Sequence, residues 1–302
     1  MNMIKDVSNF EDYLNSLEYV GFQSRNLGIA RNILKNMKSE EKITVFFGFT
    51  ANLVASGLRG YITKFIRSGL VDVVITTPGA IEHDIMKSFK QYEEGSFNVN
   101  DGELHEKGIN RIGNIFVPND RYVMLEEISM KVMEIANEKY NGVVSPSELI
   151  YEYARYIKHK QDPNNSFIVE AFNKQIPIFS PGIIDGAIGL HTYFFKQRHE
   201  DFKIDVTKDM KKLADIVLNA EKTGAVILGG GITKHHIIGS NIVRGGLDYA
   251  IYITTAVEWD GSLSGAKTKE AVSWGKIKDI QKSISVYGDA TIIFPLLLEK
   301  II

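Results

Sequence analysis

Apolar residues recur at helical spacing over residues 10–37 (Phe10, Leu14, Leu17, then Ile29, Ile33 and Leu34), with an interruption near Gly21. The spacing predicts two helices ahead of any sheet. From residue 43 the pattern changes to short apolar runs that end in Gly, Ser, Thr or Asp and then lead into helical periodicity. The runs are Ile43–Phe47, Val71–Ile75, Ile176–Phe179, Ala225–Leu228, Tyr249–Ile253 and Ile284–Tyr287. Six strands, each followed by a helical segment, predict an α/β fold with a mostly parallel sheet, doubly wound with helices on both faces. Ligands of such sheets sit at the carboxyl ends of the strands, where the Gly, Ser, Thr and Asp clusters fall.

Residues 91–122 break the rhythm: Gly95-Ser-Phe, Asp101-Gly and Gly108-Ile-Asn-Arg-Ile-Gly113 are turn-rich and predict an excursion or small hairpin. Lys158 to Ser166 reads as a polar surface loop. No internal repeat or linker appears. The expected organisation is an N-terminal helical extension, residues 1–40, ahead of a single α/β domain, residues 41–302.

Composition narrows the chemistry. The 302 residues are 44% hydrophobic with a mean hydropathy of -0.09, an ordinary globular balance. A formal net charge of -2 gives no basic surplus for nucleic acid. The chain has no cysteine, which excludes disulfides, thiolate nucleophiles and zinc-thiolate sites. The first residues lack the profile of a signal peptide, and no apolar run approaches the length of a membrane span. The expected location is the cytoplasm, with no membrane partner.

Gly229-Gly-Gly231 follows a predicted strand and precedes a helix start, as a phosphate-binding turn does, but Lys234 stands where a dinucleotide fingerprint would place its third glycine. A plain strand–helix turn is equally consistent. Asp185 and Asp289 lie just beyond predicted strands, where an acid either accepts hydrogen bonds from ribose hydroxyls or caps the next helix. His235 and His236 are adjacent, so on a helix they diverge by about 100° and only one faces a pocket. Near a helix N-terminus a buried imidazole should be neutral. Metal-ligand pairs on a helix prefer i, i+4 spacing, so no metal site is expected.

The densest chemistry lies in Glu258-Trp-Asp-Gly-Ser through Ala271-Val-Ser-Trp-Gly-Lys276. Two acids (Asp260, Glu270) and an indole (Trp274) suit a cationic amine. If Lys267–Trp274 is helical, Glu270 and Trp274 share one face. Lys276 follows Gly275 at the foot of that helix, where a lysine commonly complements the helix dipole. A desolvated lysine there would also be a usable nucleophile toward a carbonyl-like or imine carbon.

These motifs resemble the deoxyhypusine synthase family. The stretch ending in Trp-Gly-Lys276 is similar to the family's active-site signature, and Gly229-Gly-Gly-Ile-Thr-Lys-His-His236 to its glycine-rich loop. The likeness also runs through Phe49-Thr-Ala-Asn-Leu, Val71-Asp-Val-Val-Ile-Thr-Thr, Gly108-Ile-Asn-Arg-Ile-Gly-Asn, Phe179-Ser-Pro and Val286-Tyr-Gly-Asp-Ala. It implies a Rossmann-like, NAD-binding fold and a transferase that moves the aminobutyl group of spermidine to one lysine of the hypusine-containing translation factor. Hydride passes from spermidine to NAD, 1,3-diaminopropane leaves, and the aminobutyl group is held as an imine on the enzyme lysine.

By position the resemblance gives catalysis to Lys276 and His235, and amine contacts to His235, Glu270 and Trp274. It gives NAD contacts to Asn52, Thr77, Gly79, Glu82, Asp185, Gly229, Thr255, Ala256, Asp260, Ser262, Ser264, Asp289 and Ala290. It also implies a homotetramer with active sites between paired subunits, and N-terminal helices that can reach over a neighbour's site entrance. This chain departs from the family pattern at five positions. Leu263 and Leu190 stand where acids that grip spermidine are expected, His83 stands for a second glutamate, and Ala51 and Ala55 replace serines. A different donor such as agmatine, a small-molecule acceptor as in homospermidine synthase, and an inactive regulatory paralogue are the alternatives.

Overall fold

The computed structural model describes residue 7, residues 9–159 and residues 165–302. Residues 160–164 of the expected polar loop lie outside the described residues. All six predicted strands form: β1 (Ile43–Phe49), β2 (Val73–Thr76), β3 (Ile178–Phe179), β4 (Lys222–Leu228), β5 (Tyr249–Thr254) and β6 (Ser283–Tyr287). The helices that matter below are α1 (Phe10–Ser16), α2 (Phe22–Ser39), α3 (Ala51–Ala55), α4 (Pro78–Phe89), α5 (Ala187–Lys196), α6 (Gly231–Ser240), α7 (Thr268–Ser273) and α8 (Ala290–Leu298). The chain divides into two compact units, one of Met1–Phe49, Ser68–Ile75 and Lys211–Ile302, the other of Thr50–Arg67 and Thr76–Met210.

In the first unit the strand order is β6-β5-β4-β1-β2. The pairs β1/β4, β4/β5 and β5/β6 are parallel. Every residue of β5 is buried, as a strand covered on both faces requires. Successive residues of β1 point to opposite faces. Phe47 stacks on Phe294 of α8 with ring centroids 5.5 Å apart. A side chain at neighbouring Gly48 would meet Thr233 and Ile237 of α6 instead. Helices therefore cover both faces, in agreement with the doubly wound expectation.

The N-terminal helices belong to this unit's packing. α2 buries Leu27, Ala30, Ile33, Leu34 and Met37. Met37 lies against Gly224, leaving no room for a side chain there. The exposed edge of β6 is covered by side chains of α2: the amide of Tyr287 donates to Gln23 Oε1 (2.7 Å), and Asn26 Nδ2 donates to Ser285 O (3.2 Å). Satisfying an edge strand in this way removes a template for unwanted pairing. Arg31 donates to the carbonyls of Leu296, Leu297 and Glu299, the unpaired carbonyl end of α8.

The second unit is mainly helical. Residues 91–122 hold the anticipated excursion, a small antiparallel sheet in which Ile109–Ile112 and Ile115–Pro118 form a hairpin. Gly113 takes φ +61° in its two-residue turn. Asp84 is fully buried and is shared by Arg59, Ser166 Oγ and the amide of Ile168.

Candidate active site

In the first unit, strand ends and turns converge on β5. The amide of Gly229, just after β4, donates to Ile253 O (2.8 Å), and that of Gly288, just after β6, donates to Thr254 O (2.9 Å). The predicted Gly229, Thr255, Ala256, Asp289 and Ala290 are thereby held along the carboxyl ends of three adjacent strands. The glycine-rich turn is more than a generic strand–helix connection. Gly229 and Gly231 adopt φ +82° and +63°. A side chain at Gly230 would fall 2.4 Å from Ser264 Cα. The amide of Gly231 donates to Ser264 Oγ (3.0 Å), so the turn and the Ser262–Ala266 loop are packed directly together.

Asp260 closes its own turn by accepting from the amide of Ser262 (2.6 Å); the Ser262 hydroxyl first, and then that amide, hold its carboxyl below the usual range. Glu258 pairs with Lys267. Asp289 accepts from the amide of Thr291 (2.8 Å) as the N-cap of α8. The capping alternative therefore holds for Asp289, and it leaves one carboxylate oxygen uncommitted by that bond.

Lys276 is fixed by the end of α7. That helix stops in the left-handed glycine motif: Gly275 has φ +65°, its amide donates to Val272 O (3.0 Å), and the amide of Lys276 donates to Ala271 O (2.9 Å). The carbonyl of Lys276 then accepts from the amide of Leu247 (2.9 Å). Its half-buried side chain places Nζ 5.1 Å from the centre of the Trp274 ring, within cation–π range. Glu270 and Trp274 are both exposed beside it. His235 is exposed and His236 half-buried, so the two diverge as expected. His236 is the imidazole that burial shifts toward the neutral form, helped by the neighbouring His235.

Among the described residues the most buried lysine of this unit is Lys234, at 1% exposure. Its Nζ donates to Leu263 O (2.8 Å) and Ala266 O (2.6 Å) and lies 4.2 Å from the centre of the Tyr252 ring. Burial lowers its pKa to about 8, with Glu270 acting in the opposite direction. Sequence reasoning passed over it as a residue in the place of a glycine. Nothing in a linear pattern shows which carbonyls a lysine will meet.

The second unit holds the remaining predicted cofactor residues. Thr77 is the N-cap of α4, and its hydroxyl is buried without a hydrogen-bond partner. A side chain at Gly79 would meet Ala51 at 2.9 Å, so this glycine and the small Ala51 permit close approach of α4 and α3. Asn52 Oδ1 accepts from Thr50 Oγ1 (2.7 Å). Glu82 is 5% exposed and accepts from the amide of Ile188 (2.9 Å); burial, the largest influence, raises its pKa. Asp185 is exposed, and Gly186 rather than Asp185 caps α5. His83 is buried and shares a hydrogen bond between Nδ1 and Tyr92 Oη (2.6 Å). Burial, reinforced by Lys87, lowers its pKa to about 4, so it is a neutral group near pH 7. Leu190 is 54% exposed on α5 and Leu263 is half-buried.

A family model described as deoxyhypusine synthase matches residues 12–301. A relative from Thermococcus gammatolerans assigned as a deoxyhypusine synthase is 44% identical over 310 aligned residues, covering 99% of this chain and 92% of its own length. One from Methanocaldococcus jannaschii with the same assignment is 45% identical over 291 residues, covering 92% of this chain and 88% of its own length. A crystal structure from Entamoeba histolytica, also assigned as a deoxyhypusine synthase, aligns with TM-score 0.68 at 24% identity over 97% of this chain and 92% of that one. The ternary complex of AgrE with ornithine and NAD+ aligns with TM-score 0.56 at 14% identity, over 93% of this chain and 34% of that one. These two structural likenesses are likenesses of fold. Among the described residues no helix is long and apolar enough to cross a membrane.

Proposed function

The chain belongs to the deoxyhypusine synthase family, a family of transferases, and on that premise we propose that it moves an aminobutyl group from spermidine to a lysine of the hypusine-containing translation factor. The observation that carries this reading is the fixed placement of Lys276 at the end of α7 beside the Trp274 ring. NAD, when bound, supplies the acceptor for the hydride removed from spermidine and returns it at the end.

The residues present suit such a cofactor. The positive-φ glycines at 229 and 231 open the β4 turn, and the orphaned, buried hydroxyl of Thr77 is available for a ligand. The proposed cofactor contacts in the first unit are Gly229, Thr255, Ala256, Asp260, Ser262, Ser264, Asp289 and Ala290. Asn52, Thr77, Gly79, Glu82 and Asp185 of the second unit belong to the same proposal. AgrE, which matches this fold over 34% of its length, was solved as a ternary complex with ornithine and NAD+.

The chemistry balances as follows. Loss of a hydride and a proton turns a secondary C–N bond of spermidine into an imine. Lys276 Nζ adds to the imine carbon, and 1,3-diaminopropane departs with the electron pair of the broken C–N bond and a proton. The acceptor lysine displaces Lys276 in the same way, and hydride returned with one proton leaves a stable secondary amine. The covalent link to Lys276 keeps the electrophilic carbon in place between the two hydride transfers. Trp274 offers a ring face, and Glu270 a carboxylate, to the cationic amine. His235 is proposed to hold the reacting amine and exchange its proton. A homotetramer is part of the same reading.

A second reading is favoured by three positions. Leu190 and Leu263 offer no charge, and His83 is neutral. Fewer carboxylates than a trication prefers suit a donor other than spermidine, such as agmatine. Incubation with NAD and labelled spermidine, with and without the translation factor, separates the readings. Label on the factor supports the first, and label only on added putrescine supports a homospermidine route. Absence of 1,3-diaminopropane under every condition refutes all spermidine-cleaving versions and directs the assay to agmatine. Lys276→Arg should abolish transfer while NAD binding persists; full transfer by that variant would refute the imine role.

A further inference from the structure

We propose that Lys234 is a positioning residue: its buried ammonium is the strut that holds the Ser262–Ala266 turn against the glycine-rich turn and so fixes the loop that leads to Glu270, Trp274 and Lys276. The geometry is specific. Lys234 lies on the first turn of α6, immediately before His235, and points into the protein while His235 is exposed. An ammonium has three donors. Two go to the carbonyls of Leu263 and Ala266, at 2.8 and 2.6 Å. The charge also rests near the face of Tyr252, at 4.2 Å, on the fully buried strand β5. A buried charge is tolerated only where such partners are present.

Besides Lys234, the loop is held by its own turn and by the glycine-rich turn. Its own bonds are local: the amides of Gly265 and Ala266 both donate to Ser262 O, at 3.1 and 3.2 Å. Gly265 abuts Val257 O so closely that a side chain would fall 1.8 Å from it, which folds the segment back on itself. The link to the rest of the protein on the glycine-rich side is the Gly231–Ser264 bond at 3.0 Å. Lys234 joins the same two segments from the buried side. Truncating it would leave the carbonyl of Ala266 without its donor and that of Leu263 with only the shared amide of Ala266 (3.2 Å), and the turn would move outward to reach water.

Hydrogen–deuterium exchange on the intact chain tests the strut without any ligand. In Lys234→Met the amides of Gly265 and Ala266 should exchange at least tenfold faster, with β5 unchanged. Lys234→Arg, which keeps charge and donors, should restore protection to within about threefold of the parent. Unchanged exchange in Lys234→Met would overturn the proposal. So would acceleration spread through β5, which would make Lys234 a general core residue, and so would equal acceleration in Lys234→Arg, which would make side-chain shape the determinant. A parallel titration should show NAD affinity at least tenfold weaker in Lys234→Met. That titration rests on the proposed function and the exchange measurement does not, so the two fail separately.

Discussion

Gly275 offers a clean perturbation of the proposed catalytic lysine. It sits at φ +65°, and a side chain built there meets nothing within 4 Å. Substitution therefore tests backbone conformation alone. Holding an L-residue in the left-handed region costs about 1–2 kcal/mol. Abandoning that conformation forfeits the bonds from Lys276 N to Ala271 O and from Leu247 N to Lys276 O, about 1 kcal/mol each. For Ala the strain does not exceed the two bonds, so the turn should persist under strain. The expected result for Gly275→Ala is a thermal midpoint lowered by about 2 °C in a chain of this length, with transfer within a few-fold of the parent. Asn, which tolerates this region, should be nearly neutral. A β-branched residue is a genuine outlier there, so Gly275→Val should release the turn and displace Lys276. Transfer, followed as 1,3-diaminopropane release, should then fall by more than about a hundredfold, well beyond what the small stability change explains. Full transfer by Gly275→Val would refute the argument that this turn places the lysine. An unchanged midpoint in Gly275→Ala would refute the strain estimate.

Gly230→Ala is the steric counterpart. Gly230 has a negative φ (-158°, with ψ -136°), and its new methyl would fall 2.4 Å from Ser264 Cα. The 262–266 loop should be pushed away, and calorimetric titration should show NAD binding weakened at least tenfold; parental affinity would refute direct packing of the two turns. His83 predicts a pH dependence of stability. Its pKa is depressed to about 4 in the folded chain against 6.5 unfolded, so below pH 6.5 the unfolded state takes up the proton that the folded state refuses. Its contribution is complete above pH 6.5 and is lost as pH falls toward 4, about 2 kcal/mol between pH 7.5 and 5. Urea unfolding of His83→Gln should show a decline smaller by that amount, and identical curves would show that His83 is not the titrating group.

Much of the fold was legible because it is written in local patterns. Short apolar runs ending in glycine, serine, threonine or aspartate marked all six strands, and helical spacing marked the two helices before them. Gly275 and Lys276 were also readable, because a helix end followed by glycine has few conformations. Boundaries were less so: the run from Val71 begins as a strand only at Val73, and that from Ile176 only at Ile178. Which strands become neighbours is not a local property, and β1 pairs with β4 across about 180 residues of chain.

The candidate site divides along the same line. The sequence by itself determined the chemistry on offer: an amine-suited acid and indole pair, a lysine after a helix-ending glycine, and a glycine-rich turn after a strand. Those depend on residue type and spacing, which local sterics translate directly into structure. Only the tertiary structure decided how each group is used. It kept His83 neutral by burial, set Ser264 against Gly230, and turned Lys234 inward to two carbonyls while the adjacent His235 faces solvent. Burial and hydrogen-bond partners come from segments far apart in the chain, and they set the charge and position that a residue's identity leaves open.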